Sequence, residues 1–165
     1  MSAAHDDLRA VPAVTIRPMR EADLEQVQRI ESESYRFPWT EGIFHDCLRV
    51  GYSCVVAEID FLLVGYGVLS AGAGEAHLLN LCVAENVRCR GIGRRLLLDI
   101  LGRAREAGAS VVFLEARPSN VAAIRLYQAM GFVQIGVRRG YYQATGGRED
   151  AIVLRLTLNA GESRT

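Results

Sequence analysis

Between residues 52 and 107 the apolar residues change their spacing once, and that change restricts the chain to a mixed α/β architecture. Three runs rich in apolar, β-branched or aromatic residues, 52–58, 62–70 and 76–83, are separated by short turn segments at Ile59-Asp60-Phe61 and Ala71-Gly72-Ala73-Gly74. Runs of that length with that punctuation predict an antiparallel meander. From Ile92 onward the period becomes helical: Leu96, Leu97, Ile100, Leu101 and Ala104 share one face, and Gly108 supplies a C-terminal stop.

The flanks extend this alternation. A short strand at 14–18 precedes a helix over 21–34 that carries Leu24, Val27 and Ile30 at helical spacing. Arg36-Phe37-Pro38-Trp39-Thr40 interrupts it, and Thr40 is placed to cap a second helix through Ile43, Phe44, Cys47 and Leu48. After the central helix come a buried strand at 111–115, a helix at 121–130 closed by Gly131, and strands at 132–137 and 151–158. The order is β-α-α-β-β-β-α-β-α-β-β, without internal repeats or an interdomain linker. One domain over 14–158 is expected, with a flexible N-terminal extension at 1–13 and a C-terminal tail at 159–165. A length of 165 residues suits that count.

Several function classes are disfavoured. No run of 18 apolar residues is present, and the acidic, polar start lacks the basic and apolar regions of a secretory signal, so a cytoplasmic location without membrane association is expected. Cys47, Cys54, Cys82 and Cys89 form no Cys-x-x-Cys pair, and His5, His45 and His77 are scattered, which predicts no metal site and buried structural thiols. A net charge of zero argues against direct nucleic-acid binding over a broad surface. All 19 basic residues are arginine; coding bias accounts for this as readily as selection for guanidinium chemistry, so only the arginines' positions are informative.

Those positions point to the junction between the strand at 76–83 and the central helix. The first-turn amides of a helix lack intrahelical partners and the helix dipole adds partial positive charge, which together suit a phosphate. Gly91 and Gly93 let backbone approach an anion, and Arg88, Arg90, Arg94 and Arg95 surround the turn. An ordinary glycine-containing helix start with solvated arginines would read the same way. A Walker loop is impossible in a chain without lysine, and Gly65-Tyr66-Gly67 and Gly72-Ala73-Gly74 lack the third glycine and following helix of a dinucleotide fold.

Arg88-Cys89-Arg90-Gly91-Ile92-Gly93, after an apolar strand and before an amphipathic helix, resembles the Arg/Gln-x-x-Gly-x-Gly/Ala loop of the GNAT acetyltransferase superfamily. Further strings follow in register: 114–120 (Leu-Glu-Ala-Arg-Pro-Ser-Asn), 122–127 (Ala-Ala-Ile-Arg-Leu-Tyr), Gly131-Phe132, 138–142 (Arg-Arg-Gly-Tyr-Tyr) and 147–151 (Gly-Arg-Glu-Asp-Ala). Together with Phe37-Pro38-Trp39-Thr40 they resemble the RimI group, N-terminal alanine acetyltransferases of a ribosomal small-subunit protein, over roughly 14–158. The resemblance implies a GNAT fold: a mixed, mostly antiparallel central sheet flanked by helices and splayed between its central strands.

The resemblance also implies acetyl-CoA as co-substrate, no metal, and direct attack by a free amine in a ternary complex. Glu115 corresponds to the general base and Tyr127 to the general acid. Backbone amides of Leu81, Cys82 and Val83 correspond to the oxyanion donors; Arg88, Cys89, Arg90, Gly91, Ile92, Gly93, Arg94 and Asn120 correspond to further cofactor contacts. The residues agree with this without requiring it. A carboxylate in the apolar strand at 111–115 is costly unless paired or functional; a strand-end Glu paired to an arginine, a core tyrosine and a simple Asn120 N-cap are the ordinary alternatives. For the substrate, Trp39, Tyr141 and Tyr142 are candidate walls of a peptide slot, and Glu149 and Asp150 are candidate attractors of a basic peptide. A GNAT enzyme acting on other protein N-termini, lysines or small amines, and a non-catalytic CoA-binding module, are the competing readings. Cys82 departs from the small apolar residue usual in relatives.

Overall fold

The computed structural model describes residues 13–159; the remainder of the expected N-terminal extension and C-terminal tail, 1–12 and 160–165, lies outside the described residues. The elements are β1 (Thr15–Pro18), α1 (Leu24–Ser34), α2 (Glu41–Arg49), β2 (Ser53–Ile59), β3 (Leu62–Gly72), β4 (Glu75–Val83), α3 (Ile92–Glu106), β5 (Val111–Ala116), α4 (Val121–Ala129), β6 (Val133–Ala144) and β7 (Gly147–Thr157). Single 3-10 turns occupy Glu21–Asp23 and Glu85–Val87. The helix expected from residue 21 therefore begins as a 3-10 turn, where Asp23 accepts from the Arg20 amide at 2.7 Å. Thr40 Oγ1 caps α2 by accepting from the Ile43 amide at 3.3 Å.

The strands form one sheet in the order β1-β2-β3-β4-β5-β7-β6. Every pairing is antiparallel except β4 with β5. This is the mixed, mostly antiparallel sheet expected from the sequence. The splay lies where β4 and β5 part: they pair only from Glu75 with Val111 to Leu78 with Leu114. Its local cause is a bulge, because Asn80 pairs with Val68 while Leu78 pairs with Leu69, leaving Leu79 as an extra residue that bends β4 away from β5.

Each sheet face has its own core. On one side α3 and α4 pack through Ile92, Leu96, Leu97, Ile100, Leu101, Ala104 and Tyr127 against Val55, Leu69, Leu78, Val112, Leu114 and Leu154. On the other, α1 and α2 bring Leu24, Val27, Ile30, Phe44 and Cys47 onto Val56, Tyr66, Val68 and Cys82. The helix α3 lies so close to β3 that a Cβ at Gly67 would sit 2.3 Å from Ile100 Cδ1, and one at Gly65 would sit 2.9 Å from the Cys82 carbonyl oxygen. That close approach accounts for the Gly-x-Gly string in β3. Among the described residues, no helix is long and apolar enough to cross a membrane.

The clearest departure from the sequence expectation is at the C-terminal end. Strands expected at 132–137 and 151–158 are joined in a long hairpin, with β6 running on to Ala144 and β7 starting at Gly147. β6 is an edge strand, and most of it is exposed. Residues 138–150 consequently lack the apolar alternation that marks a half-buried strand. Pairing instead resumes after an irregularity between Arg138–Ala151 and Tyr142–Glu149, where Gly140 adopts φ +58° and its amide donates to Asp150 Oδ1 at 2.8 Å.

Candidate active site

Parting from β5 exposes one edge of β4. The Ala84 amide donates to the Val64 carbonyl at 2.8 Å, so alternation along this antiparallel pair turns the amides of Asn80 and Cys82 toward β3 and those of Leu81 and Val83 toward the open seam. Two of the three expected donor amides thus face the gap, and the Cys82 amide points inward. The carbonyls on the open edge are occupied: Leu81 accepts from the Tyr35 hydroxyl at 3.1 Å, and Val83 accepts from Arg88 Nε at 3.0 Å. The edge therefore presents donors with its acceptors already engaged.

The seam leads to the start of α3. Cys89 (φ +64°) and Gly91 (φ +78°) both adopt left-handed backbone, which turns the chain from the strand into the helix. Gly91 is the N-cap and carries no side-chain cap, and no acidic residue lies in the first turn. The amides of this turn are left for an external acceptor, as anion binding requires.

Seam, helix start, β5 and the hairpin enclose a cleft of about 900 Å³. Of the residues expected to hold a cofactor, Leu81, Cys82, Val83, Arg88, Cys89, Gly91, Ile92, Gly93, Arg94 and Asn120 line it, and Arg90 does not. Asn120 also caps α4 by accepting from the Ala123 amide at 3.3 Å, so the capping role read from sequence is present. Of the expected substrate residues, Trp39, Tyr142 and Glu149 line the cleft; Tyr141 and Asp150 do not. Tyr141 packs edge-on against Tyr142, with ring centroids 4.8 Å apart, and Asp150 is committed to the Gly140 amide.

Glu115 and Tyr127 line the same cleft. The Glu115 side chain is 11% exposed, and its carboxylate meets His77 Nε2 at 3.1 and 3.2 Å and an Arg138 guanidinium nitrogen at 3.5 Å. The carboxylate is thus paired, and the arginine partner read as the ordinary alternative is present beside a histidine. Tyr127 is buried against Phe132, ring to ring at 5.7 Å. Burial pushes its hydroxyl well above the usual phenol range, with minor help from Tyr142, so it stays protonated and available as a donor.

Arg117 builds the cleft's outer wall. Its guanidinium lies 4.3 Å from the Tyr142 ring centroid and 5.8 Å from that of Phe37, and it donates to the Gln143 carbonyl at 2.7 Å and to Glu149 at 3.2 Å. Hydrogen bonds from Ser119 and then Arg117 hold the Glu149 carboxyl below its usual range. Opposite, Glu31 is buried, accepts from Asn80 Nδ2 at 2.6 Å and the Tyr66 hydroxyl at 3.1 Å, and is pushed above the ordinary carboxyl range by desolvation.

His77, Glu31, Tyr35, Asn80 and Arg117 escaped sequence reasoning as site residues. As a scattered histidine His77 suggests no metal site, yet strand alternation places it on the face opposite Ala76 and Leu78, the one signal in the sequence that could have marked it. Among the described residues no cluster suited to a metal ion is present.

The family model of the acetyltransferase (GNAT) family matches residues 23–132. A [ribosomal protein bS18]-alanine N-acetyltransferase of Escherichia coli K12 is 32% identical over 145 residues, covering 88% of this chain and 98% of the relative. One of the same designation from Haemophilus influenzae is 28% identical over 144 residues, covering 87% and 98%. The crystal structure of the Escherichia coli ribosomal-protein-S18-alanine N-acetyltransferase superposes with a TM-score of 0.83 at 33% identity, over 92% of this chain and 99% of that one. A parted β4–β5 seam, an uncapped glycine turn into α3 and a family match spanning both lead to one assignment: the chain belongs to the GNAT acetyltransferase family.

Proposed function

We propose that this protein transfers an acetyl group from acetyl-CoA to the N-terminal α-amine of a ribosomal small-subunit protein, with alanine as the acceptor residue. The observation that carries the proposal is the convergence of Glu115, Tyr127, the donor edge of β4 and the uncapped start of α3 on one cleft. The naming of the Escherichia coli and Haemophilus influenzae relatives supports the choice of acceptor. The span 14–158 is the unit that carries the activity.

The residues present fit acetyl-CoA. The first-turn amides of α3, with Arg88 and Arg94 beside them, suit a pyrophosphate. The Leu81 and Val83 amides suit the extended amide-bearing arm of the ligand and the developing negative charge on the acyl oxygen. Acetyl-CoA supplies the activated thioester; the chain supplies alignment and proton transfer. The Glu115 carboxylate takes a proton from the attacking amine, directly or through water, and the Tyr127 hydroxyl donates one to the departing sulfur. An α-amine, with a pKa of about 7.7–8.0, is already roughly one-tenth neutral at pH 7, so the base has a modest task. Trp39, Tyr142 and Arg117 border the acceptor's entry.

The test is incubation with acetyl-CoA and peptides differing in their first residue, followed by location of the acetyl group by mass spectrometry. Acetylation at N-terminal alanine is expected. Modification of internal lysines alone would reject the reading of the acceptor, and cofactor binding without transfer to any amine would reject catalysis.

A further inference from the structure

The His77 imidazole touches the one carboxylate that the proposed reaction requires. Nε2 lies within hydrogen-bond distance of both Glu115 oxygens, 3.2 Å from Oε1 and 3.1 Å from Oε2. The contact is built by the sheet: His77 pairs with Phe113 where β4 and β5 still run together, so His77, Phe113 and Glu115 share a face, and the imidazole sits beside Phe113 with ring centroids 6.1 Å apart. One residue past Leu78 the strands separate. His77 therefore occupies the last stretch of the seam at which a β4 side chain is held in fixed register with β5.

The two side chains have different surroundings. Glu115 lines the cleft and is 11% exposed, whereas His77 is 36% exposed and lines a separate shallow hollow with Ser70 and Glu75. A ring nitrogen facing a carboxylate carries the proton, because two lone pairs at 3.1 Å would repel. Nε2–H thus donates to Glu115, and among the described residues Nδ1 has no protein partner. Arg138, the other neighbour, stands 3.5 Å away, is 54% exposed, and comes from the edge strand β6. It contributes charge at a distance, whereas His77 fixes orientation.

We propose that His77 is a positioning residue for the base, its Nε2–H holding the Glu115 carboxylate at the mouth of the seam with an oxygen lone pair directed to the incoming amine. This rests on the reading of Glu115 as the base and deepens it, since an unanchored glutamate side chain loses rotamer freedom only by being held.

The test is a double-mutant cycle on the full chain, His77→Ala and Glu115→Gln alone and together, with acetyl transfer followed at saturating acetyl-CoA. His77→Ala should lower kcat about tenfold, in the range for loss of a supporting hydrogen bond, with KM for acetyl-CoA unchanged. In the Glu115→Gln background the same substitution should cost nothing, because its effect passes through the carboxylate. His77→Gln, which keeps an amide donor near Nε2, should recover most of the loss. Equal losses in both backgrounds, wild-type kcat in His77→Ala, or no recovery in His77→Gln with an unaltered melting temperature would overturn the proposal. Should the wild type acetylate amines other than N-terminal alanine, the reading of the acceptor falls and the cycle is run on that amine. Should it acetylate none, both fall.

Discussion

The Tyr35 hydroxyl donates to the Leu81 carbonyl across 3.1 Å, from the end of α1 to the open edge of β4. Tyr35 is thereby what keeps a carbonyl on the parted strand from standing unpaired, and burial holds its hydroxyl protonated by pushing its pKa far above the phenol range. Removing the hydroxyl leaves Leu81 O without its partner beside the proposed acyl site. Tyr35→Phe should lower stability by about 1 kcal/mol and weaken acetyl-CoA binding more than it lowers kcat, as read by urea denaturation and a cofactor titration.

Glu115→Gln and Tyr127→Phe should each lower kcat by about 10² while leaving cofactor affinity largely intact. Activity of Glu115→Gln should climb as pH rises toward about 8, because the α-amine then deprotonates without help. Wild-type kcat in either variant removes the assigned role; a pH–rate series from pH 6 to 9 checks the compensation.

Gly91→Ala meets no steric obstacle, since nothing lies within 4 Å of the added Cβ, but its φ of +78° is unfavourable for alanine. The expected cost is about 1–2 kcal/mol, accompanied by weaker acetyl-CoA binding as the turn into α3 relaxes. Isothermal titration of the variant with coenzyme A, beside thermal melting, separates the two effects.

Two buried carboxyls should give the stability curve opposing slopes. Hydrogen bonds from Arg17 at 2.7 and 2.8 Å lower the Asp23 pKa, so its stabilisation is present above the unfolded value of about 3.9 and is lost as pH falls through the folded one. Desolvation raises the Glu31 pKa, so the folded state holds that proton more tightly and stability falls as pH rises above about 4.3. Below about pH 4 the melting temperature of Asp23→Asn should close on that of wild type, while between about pH 4 and 7 that of Glu31→Gln should shift in the variant's favour.

Cys89 is exposed and lines the cleft, whereas Cys47, Cys54 and Cys82 are buried, and burial pushes the Cys54 thiol up to about 12. Iodoacetamide should modify Cys89 first in the native protein, and saturating coenzyme A should slow that modification. Peptide mapping with and without cofactor reads the outcome; equal labelling would place the ligand elsewhere.

By itself the sequence determined the element order, the cap at Thr40, the helical face of α3 and the strand alternation that puts Glu115 opposite Leu114. These depend on neighbours a few residues apart, and local spacing carries such information. The Arg88–Gly93 string likewise marked the turn into α3, since left-handed backbone and an uncapped helix start have local residue signatures. The tertiary structure decided what converges. Leu79 becomes a bulge only because β3 and β4 pair out of step; that bulge opens the seam, and the open seam leaves the amides of Leu81 and Val83, rather than that of Cys82, facing the cleft. Parallel pairing of β4 with β5 brings His77 to Glu115 across 38 residues, and alternation in a hairpin with almost no apolar period turns Tyr142 into the cleft and Tyr141 away from it. Register between strands is set by long-range packing and by one extra residue, and neither leaves a mark on the spacing of residues along a single strand.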